Sequence, residues 1–403
     1  IHGGLRYLEH YNFRLVQESL KEREILLNMA PHIIWPMRFI LPHSKGLRPK
    51  WFLRLGLAIY DHLGFRKILP GTRRVNLQNK DFNSPLKDFL KSGFEYSDCW
   101  VDDSRLVILN AIDAASMGAS IKNYTKVTNA TSSNGLWTIT TVNSLDDKVE
   151  IVKAKTFVNA SGPWVDNVLQ ESFNVKNSKN VRLVRGSHVV VRKLYDGDKS
   201  YICQNKDGRI FFIIPYEDNF TLIGTTDIDH DKSADQVEIS EQEKKYICDS
   251  ANSYLKQEIS TKDIVWSYSG VRPLYDDGAS KAQEATRDYV ISAKEQNSSL
   301  IINIFGGKIT TYRRLSESIL EEIEGFLGKR KNAWTEHSKL PGGDIEVASL
   351  SNFEEKIKEK YEFFPDELIK RLARSYGKIT FDIFGGAKSI DSLGKNFGAG
   401  LYQ

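Results

Sequence analysis

A segment at residues 300–305, apolar except for Asn303, constrains the fold most, because it leads directly into two glycines and then a helical pattern. A short, mostly apolar strand of this length is consistent with burial inside a sheet. Gly306 and Gly307 follow it, and Thr310 and Thr311 stand where the helix starts. The first N–H groups of a helix have no acceptor inside it, so this junction favours a ligand with partial negative charge.

Lys308 lies in the same junction, where a cation stabilises developing negative charge. A reduced flavin accumulates such charge along the pyrimidine edge of its ring system. The alternative is an ordinary strand–turn–helix connection with a solvated lysine. If the junction binds a flavin, the candidate cofactor contacts are Gly306, Gly307, Lys308, Thr310 and Thr311.

The middle of the chain has the period-two pattern of β-strands. Residues 124–160 alternate over three or four strands, and Asn134 with Gly135 predicts a tight hairpin turn. Ser240 and Glu243 stand at capping-box spacing at the start of a predicted helix that ends near residue 256. Further strands are predicted at residues 181–191, 209–216 and 220–226.

The first 74 residues are basic. They carry thirteen Lys and Arg against five Asp and Glu, a charge that could face nucleic acid, an anionic membrane or an anionic substrate. A helix is predicted at residues 11–30, and the four prolines of residues 31–50 predict an irregular connector. Residues 51–63 predict an apolar helix, for which burial in the core is slightly favoured over a surface resting on lipid headgroups.

Composition excludes several classes of protein. The chain has 403 residues, of which 40% are hydrophobic, which is enough for one or two cores and argues against disorder. No apolar run reaches the 18 residues of a membrane-spanning helix. Three widely separated cysteines suggest neither a zinc site nor a disulfide framework, so no metal is predicted and a reducing compartment is expected.

A group of cations could form an anion-binding site. Arg272 lies between a valine and a proline, an unusual place for a solvated arginine. With Arg6, Arg287 and Lys308 it could hold one phosphate or carboxylate, because guanidinium groups bind both in bidentate geometry. The alternative, a scatter of surface arginines, is favoured by the local pattern alone.

Two short motifs permit close approach of the backbone to a ligand. Gly3 and Gly4 are followed, after one leucine, by an arginine and Tyr7, as in a loop against an anionic or aromatic ligand. Ser161 and Gly162 follow an apolar strand, where small residues could lie beside a cofactor. For the second motif an ordinary strand-ending turn is the alternative.

His188 is the candidate acid or base, because it stands at the start of an apolar strand and an imidazole titrates near neutral pH. A structural role is the commoner one for a lone histidine. The sequence contains no catalytic serine elbow, Walker loop, HExxH motif, CxxC pair or GxGxxG motif. The cofactor class therefore does not follow from these residues alone.

Taken together, the motifs resemble the FAD-dependent glycerol-3-phosphate dehydrogenases of the aerobic, respiratory bacterial type. The resemblance extends over essentially the whole chain in the same order. The matching stretches are IHGGLRYLEHYNFRLVQESLKERE at 1–24, FEYSDCWVDDSRL at 94–106, VNASGPW at 158–164, RGSHVVV at 185–191, IGTTD at 223–227, YSGVRPL at 268–274, ATRDY at 285–289 and FGGKITTYR at 305–313.

The resemblance implies an α/β (α+β mixed) fold of the D-amino-acid-oxidase/glycine-oxidase type. Residues 1–330 would form the FAD-dependent oxidoreductase domain, in which an FAD part and an antiparallel substrate part are interleaved. Residues 338–403 would form a small helical C-terminal domain. The resemblance also implies that an N-terminal βαβ unit with a GxGxxG motif, and the final helices, lie outside this sequence.

The resemblance further implies oxidation of sn-glycerol 3-phosphate to dihydroxyacetone phosphate, with hydride transfer to FAD and electrons passed to ubiquinone or menaquinone. His188 would be the base and Arg272 would polarise the reacting oxygen. The substrate contacts would be Arg6, Tyr7, Arg272, Arg287 and Lys308. The cofactor contacts would be Gly3, Gly4, Ser161, Gly162, Gly306, Gly307, Lys308, Thr310 and Thr311.

The expected location is the cytoplasm, peripheral on the inner face of the cell membrane, with an anionic membrane surface as partner, a homodimer as an open possibility and no nucleic acid. Three alternatives stay open. An oxygen-reducing glycerol-3-phosphate oxidase would share the fold. An amine or amino-acid oxidase would need a carboxylate pocket, which the extra arginines disfavour. A basic binding module would leave the SGVRPL and FGGKITTYR stretches unexplained.

Overall fold

The computed structural model describes residues 1–43, 49–64, 66–79, 82–205, 207–278, 288–328, 332–398 and 400–403. Its strands are β1 Ile34–His43, β2 Arg73–Asn76, β3 Ser92–Val101, β4 Thr125–Ser133, β5 Leu136–Asn143, β6 Val149–Ala154, β7 Thr156–Asn159, β8 Val181–Arg192, β9 Ser200–Gln204, β10 Ile210–Tyr216, β11 Phe220–Gly224, β12 Ile228–Asp229, β13 Ile264–Tyr275, β14 Tyr289–Gln296 and β15 Ser299–Gly306. Its α-helices are α1 Phe13–Met29, α2 Lys50–Leu63, α3 Asp103–Ser116, α4 Val165–Phe173, α5 Glu241–Asn252, α6 Tyr312–Leu327, α7 Leu350–Lys360, α8 Asp366–Tyr376 and α9 Thr380–Phe384.

The largest sheet has the strand order β12-β8-β11-β10-β9-β1-β3-β2, with β13 also paired to β8. Its pairs are antiparallel except the short parallel contact between β1 and β9. The register places His188 of β8 opposite both Gly224 of β11 and Tyr268 of β13. Helix α5 covers one face, where Ile247 and Ala251 are buried with Val189 and Ile213 in one apolar cluster.

Two three-stranded sheets accompany the large sheet. One has the order β14-β15-β7, in which β15 and β7 are parallel, and the other is the antiparallel meander β4-β5-β6. Trp137 of β5 is fully buried between them, and its indole N–H donates to the carbonyl of Leu300 at 2.8 Å. Strand β15 is buried almost throughout, as its mostly apolar sequence predicts.

Local turn and cap signals are confirmed. Asn134 and Gly135 both have positive φ and join β4 to β5, as a two-residue hairpin of this sequence requires. Residues 217–219 join β10 to β11. Ser240 and Glu243 form the predicted capping box at the start of α5.

Residues 31–50 correct the expectation of an irregular connector, because they contain strand β1. All ten residues of β1 pair with β3, whereas β9 pairs with β1 only at Phe39 and Ile40. A strand tolerates prolines where one edge needs few N–H donors, which explains how Pro36 and Pro42 are accommodated.

Helix α2 corrects a second expectation, since the slightly favoured interpretation was a buried helix. Only Leu57 and Tyr60 are buried, while Trp51 and Leu55 are 69% and 52% exposed. The helix therefore presents an open apolar face. No helix in the described ranges is long and apolar enough to cross a membrane.

The C-terminal helices α7, α8 and α9 pack around their own apolar cluster, which includes Phe353, Ile357 and Tyr361. Helix α8 contacts β1 and α3. Its Arg374 lies 4.4 Å from the ring centroid of Trp35, and Arg105 lies 4.5 Å from the ring centroid of Tyr376. The domain boundaries expected at residues 330 and 338 stay a prediction.

Candidate active site

The loop between β15 and α6 places Lys308 in a half-buried polar cluster. Its ammonium group donates to the hydroxyl of Ser19 at 2.6 Å and lies 4.8 Å from the ring centroid of Tyr7. Among the residues that the structure describes, no carboxylate lies within ion-pair distance of it. Burial lowers the pKa of Lys308 to about 8, against the raising effect of Asp288, Glu18 and Asp98.

The N-terminal glycine loop is held against the start of α6. The backbone N–H of His2 donates to the hydroxyl of Thr310 at 3.3 Å, and that of Gly3 donates to the carboxylate of Asp98 at 3.0 Å. Gly4 precedes the 3₁₀ helix Leu5–His10, which carries Arg6 and Tyr7. The predicted ligand loop and the predicted helix start are therefore neighbours.

Asp98 of β3 is a residue that sequence reasoning missed. Besides the N–H of Gly3, its carboxylate accepts hydrogen bonds from Arg23 and Tyr60, each at 2.8 Å, and all three side chains are buried. A buried charge of this kind is stable only when it is paired and hydrogen-bonded. Its only sequence signal was its place in the FEYSDCW stretch.

The two glycines after β15 form a tight turn, with φ of 73° at Gly306 and 100° at Gly307. A Cβ at Gly306 would lie 2.7 Å from the carbonyl oxygen of Asp288, so no side chain fits there. The 3₁₀ helix Ile309–Thr311 follows and leads into α6. The backbone at Gly306 is therefore free of an overlying side chain of its own.

Ser161 and Gly162 lie beside the same region. Gly162 begins a short 3₁₀ helix at the end of β7, next to Pro273 of β13. The hydroxyl of Ser161 donates to Asn159, whose amide donates to Asn303 of β15 at 3.1 Å. The ring of Tyr275, at the end of β13, lies 6.1 Å from that of Phe305 of β15. The end of β13 therefore meets both small-residue turns.

His188 stacks on Tyr268 with ring centroids 4.9 Å apart and an interplanar angle of 10°. Its Nδ1 atom is buried and has no hydrogen-bond partner within the described ranges. Burial, and then the nearby charge of Arg272, lower the pKa of His188 to about 4. The imidazole is therefore neutral at physiological pH and can accept a proton.

Arg272 is held by one turn between β11 and β12. Its guanidinium donates to the carboxylate of Asp227 at 2.7 Å and to the hydroxyl of Thr225 at 3.3 Å. This ion pair with Asp227 was not signalled by the local sequence, and the predicted substrate contact of Arg272 stays a prediction.

The predicted cations lie on different elements. Lys308 belongs to the α6 start, whereas Arg272 belongs to the large sheet beside His188. Arg6 lies in the N-terminal 3₁₀ helix by its backbone. Arg287 lies outside the described residues, so its predicted role has no structural counterpart here.

The geometry of the α6 start fits the pyrimidine edge of a flavin. Two glycines of positive φ bring the backbone close, and the first N–H groups of the helical segment have no acceptor within it. The sequence model of the FAD dependent oxidoreductase family matches residues 1–313. The chain belongs to this family. The predicted cofactor, FAD, and the predicted class of oxidoreductase are confirmed.

Relatives of this FAD-dependent oxidoreductase are similar over its entire length. A D-erythritol 1-phosphate dehydrogenase of Brucella abortus is 46% identical, and the match covers 100% of this chain and 80% of the relative. A glycerol-3-phosphate dehydrogenase of Pseudomonas aeruginosa is 45% identical, with 100% and 78% covered. The aerobic glycerol-3-phosphate dehydrogenase of Escherichia coli is 43% identical, with 100% and 80% covered. The resemblance inferred from the motifs is confirmed.

Solved structures share the fold. The glycerol-3-phosphate dehydrogenase from Bacillus halodurans complexed with FAD matches with a TM-score of 0.70 and 26% identity, over 91% of this chain and 67% of that one. Glycine oxidase from Geobacillus kaustophilus matches with a TM-score of 0.55 and 19% identity, over 79% and 80%. The second likeness supports the predicted glycine-oxidase type of fold and nothing further.

Proposed function

We propose that this FAD-dependent oxidoreductase oxidises sn-glycerol 3-phosphate to dihydroxyacetone phosphate. The observation that carries the proposal is the 45% and 43% identity, over the whole chain, to proteins named glycerol-3-phosphate dehydrogenase. The site adds a half-buried lysine on an aromatic ring and a neutral histidine beside an arginine. FAD, when bound, accepts the hydride.

The phosphate dianion is assigned to the cationic side of the site. Lys308 offers an ammonium group, and Tyr7 lies against it. Arg6 and Arg287 are proposed to complete the phosphate contacts, because guanidinium forks match phosphate oxygens. Fixing the phosphate orients C2 of the substrate, and orientation is a large part of the catalytic gain.

His188 is proposed as the base that takes the proton of the C2 hydroxyl as the hydride leaves C2. Its low pKa keeps the imidazole neutral, and no hydrogen bond within the described residues occupies the buried Nδ1 atom. Arg272 stands beside it and stabilises negative charge on the C2 oxygen. Asp227 limits that effect, because it already shares the charge of the guanidinium.

The flavin contacts are proposed at the three glycine-containing turns and the start of α6. Their backbone groups would face the polar edge of the flavin, and the helix start would stabilise its negative charge. The residues are Gly3, Gly4, Ser161, Gly162, Gly306, Gly307, Lys308, Thr310 and Thr311.

D-erythritol 1-phosphate is the second candidate substrate, because a relative of that name is 46% identical over the whole chain. Both candidates pair a phosphate with an oxidisable secondary alcohol, so the cationic cluster serves either. The test is turnover of the full-length holoenzyme with each compound and a dye as electron acceptor. A higher kcat/KM for glycerol 3-phosphate supports the first candidate, and the reverse order replaces it with the second.

The electron acceptor is proposed to be a membrane quinone, and the location the cytoplasmic face of the cell membrane. The open apolar face of α2, with Trp51 and Leu55 beside Lys50 and Arg54, supports this assignment. Apolar side chains flanked by basic ones are typical of helices that lie in the headgroup region. Homodimer formation stays a prediction.

A further inference from the structure

Arg272 owes its position to the turn Thr225–Asp227, which follows strand β11. Its guanidinium contacts three successive residues of this turn: the hydroxyl of Thr225 at 3.3 Å, the carbonyl of Thr226 at 3.5 Å and the carboxylate of Asp227 at 2.7 Å. The guanidinium also packs against Gly186 of β8, where a Cβ would lie 2.6 Å from one of its nitrogens. The arginine is therefore placed by the turn, and a shift of the turn would move it.

The Thr225–Asp227 turn is itself held by Glu243, the third residue of α5. One carboxylate oxygen accepts the hydroxyl of Thr226 at 2.9 Å and the hydroxyl of Ser187 at 2.8 Å. The backbone N–H of Ser187 donates back to Thr226 at 3.0 Å. Thr226 and Ser187 are buried, so water does not compete for these bonds.

The second oxygen of Glu243 binds the start of the helix and a cation. It accepts the N–H and the hydroxyl of Ser240 at 3.0 and 2.9 Å, and Arg185 donates to it at 2.8 Å. Glu243 is only 3% exposed. Burial alone would raise the pKa of Glu243, but the hydrogen bonds of Ser240, Ser187 and Thr226 hold it below the usual value.

A capping box needs only one of these two oxygens. The other oxygen accepts hydrogen bonds from Ser187 of β8 and from Thr226 of the turn that contacts Arg272. We propose that Glu243 is a positioning residue for the reaction, which fixes the Thr225–Asp227 turn and through it the guanidinium of Arg272. The proposal rests on the function proposed above, in which Arg272 acts on the C2 oxygen.

The test uses Glu243→Gln in the full-length holoenzyme. An amide cannot accept at both ends, so one set of partners loses its acceptor while the volume is kept. We expect kcat to fall between about 10-fold and 100-fold, since small displacements of an orienting group have effects of this size. KM and FAD content should change little.

A pH profile separates positioning from simple support of the fold. Among the described residues, the charged and titratable groups that face His188 are Arg272 and Tyr268, both on β13. If Arg272 leaves its place, the acidic limb of kcat/KM moves to higher pH, because the cation that lowers the pKa of His188 is farther away. Ser240→Ala is the matched control: it removes the cap of α5 but keeps the bonds of Glu243 to Thr226 and Ser187.

Equal losses of thermal stability in both variants, with kcat and the acidic limb unchanged in Glu243→Gln, would overturn the proposal. Should Glu243→Gln fail to fold, Thr226→Val replaces it, with Thr226→Ser as the variant that restores the hydroxyl. The proposal predicts a lower kcat for the valine variant and recovery with serine; equal kcat in both contradicts it. Failure of the proposed function itself appears separately, as absence of glycerol 3-phosphate turnover in the native holoenzyme.

Discussion

At the scale of single residues, Arg272 is the side chain on which the proposed chemistry depends most. Replacement by alanine should lower kcat/KM for glycerol 3-phosphate at least about 100-fold, equivalent to about 2.7 kcal/mol of transition-state stabilisation. FAD content should stay the same, because the proposed flavin contacts lie elsewhere. The control is Arg192→Ala, at the exposed end of β8. An unchanged kcat/KM in Arg272→Ala would remove its assigned role.

His188 gives a second prediction at this scale. Its pKa of about 4 means that the imidazole is protonated, and useless as a base, only in acid. We expect kcat/KM of the native enzyme to decline as the pH falls toward 4, and His188→Gln to lower kcat more than it raises KM and to lose that decline. The exposed His337→Gln serves as control. An acidic limb that persists in the His188 variant would exclude this histidine as the base.

His32 is a buried histidine whose titration should be visible in stability. It is 0% exposed, and burial, followed by the charges of Arg374 and Arg105, lowers its pKa to about 4. Between pH 6.5 and 4 the unfolded chain binds a proton there and the folded chain does not, so stability is lost as the pH falls, by up to about 3 kcal/mol.

Replacing His32 by phenylalanine should therefore flatten the acid side of a plot of melting temperature against pH. His337→Phe, at an exposed site, should leave the plot unchanged. Parallel curves for the native protein and the His32 variant would show that this histidine does not contribute to acid unfolding.

At the scale of elements, helix α2 is expected to hold the protein on anionic membranes. Trp51 and Leu55 offer exposed apolar surface, and each basic residue near the surface contributes about 1 kcal/mol at low salt. Replacing both Trp51 and Leu55 by glutamine should abolish co-sedimentation with anionic liposomes that persists at high salt. Leu320→Gln, on the exposed side of α6, is the control. Equal binding of the double variant and the native protein would assign membrane contact to another element.

The elements themselves were predicted where local chemistry decides them. The hairpin at Asn134 and Gly135, the capping box of Ser240 and Glu243, and the buried strand β15 all follow from short-range patterns. Strand β1 was missed because prolines in a sequence indicate a loop. They fit a strand only where one of its edges is largely unpaired, and the sequence does not show that edge. Helix α2 was misjudged because burial depends on which neighbours the fold supplies, and an apolar sequence does not name them.

At the scale of the whole molecule, the site combines parts that are far apart in sequence. Lys308 and the two glycines before it were identifiable, because a buried strand, a glycine turn and a helix start are adjacent in the chain. Asp98 and Asp227 were not, because each becomes meaningful only when the fold brings it to Gly3 or to Arg272. The candidate ligand contacts could therefore be nominated from the sequence, whereas the residues that hold them in place could not.

The central claim is that the substrate reduces the flavin of this oxidoreductase directly. The most direct measurement mixes the full-length holoenzyme with sn-glycerol 3-phosphate without oxygen or another acceptor and follows the flavin absorbance in a stopped-flow instrument. The account predicts loss of the oxidised flavin band in a single turnover, with a rate constant at least as high as kcat, and a much slower loss in Arg272→Ala. An oxidised band that persists with saturating glycerol 3-phosphate, and equally with D-erythritol 1-phosphate, would contradict it.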